Sequence, residues 1–532
     1  MSPTARPSRV VAKLPRRRSP RRTRFGRGRR LGAGQAAPVG SFSAERLEPR
    51  LLLAAENLLA PDIAAYPNQL QPFAEPAVIS SRDGVLEASV RLVSAGSDSN
   101  PIRYGTEDLF SGGTTDDATG QQIAAMAYQF DAYGTSYPAA FPGPTLQLNP
   151  GDTLKLSITN DLSTNLDGNE LATNFHFHGG HVPTMGQGDN VYRSLGPGET
   201  MEVVIPIPAE TQSAGMNWYH PHHHMSTHVQ VYGGLAGTIQ IGDTLDAWPQ
   251  YKGVFTEQTL AFSEVNIQDG KIDRLGTSDG FMVGWQKRVN GQLNPTMTMR
   301  PGETRIWNLA NIGSRGLFNL ALTDENLENP WQATILAVDG NETDMRPLPL
   351  SLSADPLRMQ NALAPTAIPG GGRLAMAVTA PTEPGTYYLI DGWGGDEFSG
   401  RFGTNVVPPP GPPPPFTLAD AVNFWNSPPP VQGYFKLATI EVAGDPVDVP
   451  SPVFPVQPPS PMFTAEADVT REVIFDLIGD TEQEQVDNAL ADIFGINGKS
   501  FGETITPLVE IGTVEEWTIR NETVITHSFH IH

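Results

Sequence analysis

The sequence has 532 residues, a formal net charge of −23 and no cysteine. The absence of cysteine excludes disulfide bonds, so the fold must be held together by its hydrophobic cores. Residues 1–56 hold 14 of the 35 Lys and Arg residues and only three acidic residues. The remaining body is strongly acidic, which argues against binding to nucleic acid or to an anionic membrane.

The N-terminal segment, residues 1–56, contains the stretch "RRRSPRRTRFGRGRR" and shows no apolar periodicity. This composition predicts disorder. Near its end, "RLEPRLLLAAE" resembles a short Leu-Glu-Pro-Arg motif at the N-termini of many exported bacterial proteins. The apolar run is too short to span a bilayer. We interpret residues 1–56 as a leader and predict an exported protein with no membrane span.

One strand pattern occurs three times, as "PGDTLKLSITN" (150–160), "PGETRIWNLAN" (301–311) and "IGTVEEWTIRN" (511–521). Each copy has Gly second, Asn eleventh and apolar residues at the seventh and ninth places. Alternation of this kind after a turn glycine predicts a strand with one buried face. With 53 glycines and 49 prolines as turn formers, the repeat predicts an all-β protein of three related domains.

Composition shifts suggest the domain boundaries. We predict a first domain at 75–245, a second at 246–407 and a third at 464–532. A proline-rich linker at 408–463 would separate the last two, because it begins with "PPPGPPPPF" and contains further prolines to residue 461. In the third domain, Thr481 and Glu484 have the spacing of a helix capping box, with Val486, Leu490, Ile493 and Phe494 on one face of the helix.

All 11 histidines fall in three clusters, two in the first domain and one in the third. On a strand, the two residues of an H-x-H pair point to the same face about 7 Å apart, so one pair reaches two neighbouring metals more readily than it chelates one. The pattern therefore predicts a polynuclear metal site between the first and third domains. Imidazole ligands suit copper, zinc, iron and nickel, so the ligand type alone leaves the metal open.

The motifs "NFHFHGGHV", "GMNWYHPHHH" and "HSFHIH" resemble the first three of the four copper motifs of multicopper oxidases, the superfamily of laccases and bilirubin oxidases. The resemblance covers roughly residues 120–532. It implies three cupredoxin-like Greek-key β-barrel or sandwich domains, the third incomplete. It also implies four copper ions (type 1, type 2 and a type 3 pair), with O₂ and a small reducing molecule, such as a phenol, as substrates.

Carried over by position, the resemblance assigns His176 and His530 to the type 2 copper and His527 to the type 1 copper. The type 3 pair would take four ligands from this sequence: His178, His220, His222 and His532. Asp189 matches a family aspartate that anchors water or relays protons near the cluster, although an ordinary loop acid is the alternative. The remaining histidines match no invariant ligand: His181, His223, His224 and His228.

The fourth family motif, H-C-H with the type 1 thiolate, is absent, in agreement with the lack of cysteine. We therefore expect the sequence to end one motif early, this chain to lack oxidase activity and the intact product to be an oxidase. Two alternatives stay open. One is a non-catalytic cupredoxin-fold structural or copper-binding protein. The other is a zinc or iron enzyme, although these histidine rows exceed the usual closed tetrahedral zinc set.

Overall fold

The computed structural model describes the following residues, all in one compact unit that spans Ala54–His532: 71–94, 102–109, 125–162, 172–224, 226–265, 267–268, 271–272, 286–314, 317–324, 329–342, 347–349, 366–392, 434–447, 452–454, 466–479, 481, 484–485, 494–499, 509–510, 512–523 and 527–532. The predicted leader, residues 1–56, lies outside this set. Strands dominate the described part, so the predicted all-β class is confirmed. No helix within it has the length and apolar character needed to cross a membrane.

Two facing sheets form the first part of the fold. One has the strand order β1-β7-β12-β11-β9 and the other β10-β8-β2-β5-β6-β3-β4. Their residues alternate as a half-buried strand requires: on β2, Leu86 and Val90 are buried while Glu87 and Arg91 face solvent. The elements are β1 (Val78–Ser80), β2 (Val85–Ser94), β3 (Ile102–Tyr104), β4 (Glu107–Leu109), β5 (Met126–Ala132), β6 (Thr135–Phe141), β7 (Gly143–Leu148), β8 (Thr153–Asp161), β9 (His176–His178), β10 (Thr200–Pro206), β11 (Gly215–His220), helix α1 (Thr227–Gly233) and β12 (Gly237–Ile241).

The second part begins with short 3₁₀ helices at Thr244–Ala247 and Pro249–Tyr251. Its main sheets have the orders β16-β13-β18-β24-β20-β21, with β22 also on β20, and β17-β26-β25-β19-β23. The elements are β13 (Thr256–Val265), β14 (Ile267–Gln268), β15 (Lys271–Ile272), β16 (Gln286–Val289), β17 (Thr296–Met299), β18 (Thr304–Asn311), β19 (Phe318–Thr323), β20 (Gln332–Val338), β21 (Asn341–Glu342), β22 (Pro347–Pro349), β23 (Ala367–Ile368), β24 (Arg373–Thr379), β25 (Gly385–Gly392) and β26 (Tyr434–Val442).

The strand β26 corrects the linker prediction. It lies within the range 408–463 that we assigned to a linker, yet it pairs parallel with β17 and antiparallel with β25. Its Leu437, Ile440 and Val442 belong to the hydrophobic core of the second part. The run that forms β26 is apolar and contains no proline, but the sequence on both sides of it is proline-rich, which favoured the linker prediction. Pairing with the distant strands β17 and β25 places this run in the sheet.

The third part has the sheet order β28-β27-β29, built from β27 (Val469–Leu477), β28 (Phe494–Ile496) and β29 (Glu515–Asn521). The capping box of Thr481 and Glu484 forms, with reciprocal N–H to side-chain oxygen distances of 3.1 and 3.2 Å. Phe494, predicted on that helix, is instead the first residue of β28; most of the intervening residues lie outside the described set.

The three copies of the repeated strand are β8, β18 and β29, but their burial differs. On β8 one face is buried, as predicted, through Leu156 and Ile158. On β18 both faces are buried, because Trp307 packs in one core and Ile306 in another. On β29, Ile519 is 42% exposed, so the predicted buried face is wrong there. Among the described residues, no second sheet packs over this three-stranded sheet.

Candidate metal centre

Two paired strands carry the first histidines of the site. β9 runs antiparallel to β11, with His176 opposite His220 and His178 opposite Trp218. All three residues of β9 are buried, so the H-x-H pair points into protein rather than solvent. His222 follows β11, and its backbone N–H donates to Oδ1 of Asn174 at 2.5 Å. The sheet therefore fixes the backbone of four histidines before any ligand binds.

The C-terminal motif completes a cluster of six imidazoles. The His530 ring stacks on His178 at 4.0 Å between ring centroids, and the His532 ring stacks on His176 at 4.5 Å. Two groups bring their ring nitrogens within 4.8 Å of one another: His176 with His178 and His220, and His176 with His530 and His532. The members of the cluster are His176, His178, His220, His222, His530 and His532.

Asp189 sets the orientation of His176. Nδ1 of His176 lies 3.1 and 3.0 Å from the two carboxylate oxygens, one of which also accepts the Phe177 N–H at 2.7 Å. A neutral imidazole that donates from Nδ1 leaves its lone pair on Nε2. That Nε2 is buried and has no hydrogen-bond partner. A buried acceptor without a donor is costly, and a carboxylate-oriented imidazole is the usual arrangement of a metal ligand. The residues therefore fit a metal ion.

His178 and His220 present a second pair of nitrogen atoms to each other. Nδ1 of His220 donates to the Pro221 carbonyl at 2.8 Å, which leaves the lone pair on Nε2. This Nε2 lies 3.4 Å from Nδ1 of His178. The Trp218 ring stacks on His220 at 4.0 Å and limits its rotation.

The cluster is held in the neutral form that binds metals. Burial first, and then the neighbouring imidazoles, keep the pKa of His176, His178 and His220 well below the usual value. Partial burial lowers the pKa of His530 and of His532 to about 4. Metal binding at neutral pH therefore need not displace protons from these rings.

These pKa shifts predict how the metal-free protein responds to acid. In the unfolded chain the imidazoles bind protons below about pH 6.5, whereas folded His530 and His532 do so only near pH 4. The unfolded state then binds more protons across this window, so the free energy of unfolding falls as the pH decreases from 6.5 to 4. Asp189 has the opposite effect on stability. Burial raises its pKa to about 6, so the folded state takes up this proton before the unfolded state does as the pH decreases.

Urea unfolding of the metal-free protein at pH 7.5, 6.0 and 5.0 would measure the effect. We expect the midpoint to decrease with pH, and to decrease less steeply in a variant that carries His530→Ala and His532→Ala. Equal slopes in the two proteins would contradict the assignment.

The sequence predicts Asp189 to be a catalytic residue that anchors water or relays protons, and the structure places it beside His176 with 4% of its side chain exposed. We predict that Asp189→Ala lowers the affinity for copper by roughly 10- to 100-fold, because the carboxylate no longer holds the ring. Chelator competition would measure the change. Asp131→Ala, at an exposed position on β5, is the control and should bind copper like the unaltered chain. An unchanged affinity in Asp189→Ala would contradict the orienting role.

The other histidines lie outside the six-member cluster. His527, predicted as a type 1 ligand, stacks on Phe475 at 5.0 Å and contacts the Thr523 hydroxyl at 2.7 Å. His223 contacts the hydroxyls of Ser194 and Ser226. The remaining members of this set are His181, His224 and His228.

Some residues that shape the site were missed in the sequence. Asn174 and Trp218 each stand two places before a cluster histidine, so strand periodicity could have found them. Gly371 and Arg373 also approach the cluster, from the start of β24 in the second part. No local signal near the histidine motifs points to them.

Comparisons with known proteins identify relatives of this chain. A family model described as multicopper oxidase matches residues 122–246. A multicopper oxidase of Staphylococcus aureus is 30% identical over 189 residues, which cover 34% of this chain and 38% of that protein. The match thus spans well under half of the curated oxidase. The cell division protein FtsP of Salmonella typhimurium is 25% identical over 73% of this chain and 69% of that protein.

Solved structures extend the likeness to most of the chain. A multicopper oxidase from Campylobacter jejuni, described as a metallo-oxidase, has a TM-score of 0.56 at 21% identity and covers 88% of this chain and 81% of its own. Residues 122–246 match the multicopper oxidase family, and the predicted resemblance to that superfamily is confirmed. A laccase-like multicopper oxidase from Ochrobactrum shares the fold, with a TM-score of 0.54 at 18% identity and coverage of 85% and 83%. The predicted all-β, cupredoxin-like fold is thereby confirmed.

Proposed function

We propose that this chain forms the copper-binding framework of an oxidase that couples one-electron oxidation of a phenolic or similar substrate to the reduction of O₂ to water. The observation that carries the proposal is the buried, partnerless Nε2 of His176 at the centre of the six-imidazole cluster. The redox chemistry, in which four one-electron oxidations and four protons convert O₂ to two waters, would come from bound copper.

The chain's own residues supply the geometry. His176 and His530 would hold the type 2 copper, and the type 3 pair would take His178, His220, His222 and His532. Asp189 is oriented by the Phe177 N–H, and its pKa of about 6 lets it exchange a proton near neutral pH. We propose that it both fixes the His176 ring and accepts or releases a proton beside the cluster. His527 is proposed as the type 1 histidine.

The lack of cysteine limits what these residues can do alone. A blue type 1 site needs a thiolate, and none of the 532 residues provides one. We therefore propose that the chain binds copper without oxidase turnover by itself. Turnover would require a cysteine-containing ligand motif from outside this sequence.

The second candidate function is a non-catalytic copper-binding or structural protein. The similarity to FtsP favours it, because that match covers 73% of this chain against 34% for the staphylococcal oxidase. The six clustered imidazoles favour the oxidase over a purely structural role, since such a role gives no reason to keep the buried Nε2 of His176 without a partner. Export is proposed from the N-terminal motif.

Oxygen uptake would separate the two functions. When given a phenol such as 2,6-dimethoxyphenol, the copper-loaded 532-residue chain should consume O₂ no faster than the background rate. A variant extended after His532 by an H-C-H segment, which supplies the missing thiolate, should consume O₂ with the same phenol. An extended variant that binds copper but consumes no O₂ would favour the non-catalytic function.

A further inference from the structure

A glycine turn from the second part of the fold reaches the histidine cluster. Gly371 precedes β24 and has a φ of +77°. A Cβ atom built at this position would lie 2.7 Å from Cε1 and 3.0 Å from Nε2 of His178. Real Cβ atoms essentially never approach a ring this closely, so the backbone at Gly371 packs directly against the imidazole. The nearest ring atom, Cε1, lies between Nε2 and the Nδ1 that faces His220, and the Cβ would be 3.6 Å from that Nδ1.

Hydrogen bonds hold this turn in place. The Gly371 N–H donates to the Asn311 carbonyl at 3.0 Å, and the Gly372 N–H donates to the Pro369 carbonyl at 2.8 Å. The Gly371 carbonyl accepts from Nη1 of Arg373 at 3.1 Å. The turn is therefore tied to β18 through Asn311 and to β24 through Arg373, so it is a fixed surface rather than a loose loop.

Arg373 joins the turn to the strand that carries His220. Its guanidinium is buried, donates from Nε to the Met216 carbonyl of β11 at 3.4 Å and pairs with Asp339 at 3.1 Å. It also packs over Gly179, the residue after His178: a Cβ there would lie 2.4 Å from Nη2. Glycines on both sides of the contact allow the two parts of the fold to approach this closely.

We infer that Gly371 is a positioning residue for His178. The turn Pro369–Arg373, which belongs to the second part of the fold, fixes the position of the His178 ring within the histidine cluster. That part contributes no histidine. The His178 ring is confined between this turn, the stacked His530 ring and Trp218 at 4.9 Å. In this confined position, Nδ1 is the ring nitrogen that faces His220. The inference rests on the proposed copper site for its effect on metal binding.

The test is Gly371→Ala beside the matched control Gly253→Ala. Gly253 has a φ of +74°, and a Cβ there meets nothing within 4 Å. Both variants carry left-handed strain, and Gly371→Ala adds the overlap with the His178 ring, so we expect a small decrease in the thermal midpoint of Gly253→Ala and a larger one in Gly371→Ala. Only Gly371→Ala should lower copper affinity, by roughly 10- to 100-fold, and change the copper EPR hyperfine pattern. Equal affinity and an unchanged spectrum in Gly371→Ala would overturn the inference.

A measurement on the metal-free protein keeps the two proposals separate. With ¹⁵N-histidine labelling, the ring signals of His178 should shift in Gly371→Ala and stay in place in Gly253→Ala. Unshifted ring signals would overturn the positioning role even if the unaltered chain binds copper. If the unaltered chain binds no copper while the shift occurs, the proposed function fails and the positioning role stands. Should alanine at 371 unfold the protein, Gly371→Asn tolerates the left-handed backbone and still presses a Cβ on the ring.

Discussion

Replacing His176 with alanine should reduce the amount of bound copper more than any other single substitution in the cluster. His176 belongs to both groups of converging ring nitrogens, and its ring lies 4.5 to 5.9 Å from those of the other five members. Its loss also leaves the Asp189 carboxylate buried without its imidazole partner. We expect the copper-to-protein ratio to fall by more than half, as measured by elemental analysis after dialysis.

His181→Ala is the matched control for this variant. His181 comes from the same "HFHGGH" motif, but its ring is exposed and its Nδ1 contacts the Thr211 carbonyl at 3.1 Å, outside the cluster. We expect its copper content to equal that of the unaltered chain. A His176→Ala protein that keeps its full copper content would show that the metal is held elsewhere.

The second large effect concerns stability. Lys287→Met should destabilise the second part of the fold by about 3–5 kcal/mol, because removing one partner of a buried ion pair leaves an uncompensated charge. Lys287 pairs with Asp391, and their side chains are 0% and 1% exposed. Its ammonium also donates to the Leu317 carbonyl at 3.1 Å and lies 4.5 Å from the Phe318 ring centroid.

Hydrogen exchange of the β19 and β25 amides would measure this loss, since Asp391 lies on β25 and accepts the Asn319 N–H of β19 at 2.7 Å. The control is Lys252→Met. Lys252 pairs with Asp243 and Asp246 at the surface, where solvent screens ion pairs and little stability is lost. Equal protection in the two variants would contradict the structural role of the buried pair.

Local spacing in the sequence accounts for much of the site. The pair His176 and His178 lies on a strand, β9, and its two side chains share a face, as the spacing predicts. The six histidines assigned to the type 2 and type 3 coppers converge in the structure, although His222, His530 and His532 lie outside the strands. The capping box of Thr481 and Glu484 also forms. These features depend on contacts between near neighbours, or on motifs whose residue types already restrict their chemistry.

Features that depend on distant parts of the chain could not be predicted in this way. The strand β26 lies between proline-rich segments, and its place beside β25 and β17 depends on sheet pairing across a long connection. The burial of both faces of β18 depends on which cores surround it. Gly371 meets His178 across 193 positions of sequence, so no periodicity near either residue reveals the contact.

The most direct test of the central claim is the metal content of the 532-residue chain. The metal-free protein would be dialysed against equal concentrations of copper and zinc, and bound metal would be measured by elemental analysis together with copper EPR. A copper centre built on the six imidazoles predicts more than one copper ion per chain, an EPR signal from nitrogen-ligated copper and loss of both in His176→Ala. Preferential zinc binding, or no bound metal above that of His176→Ala, would contradict it.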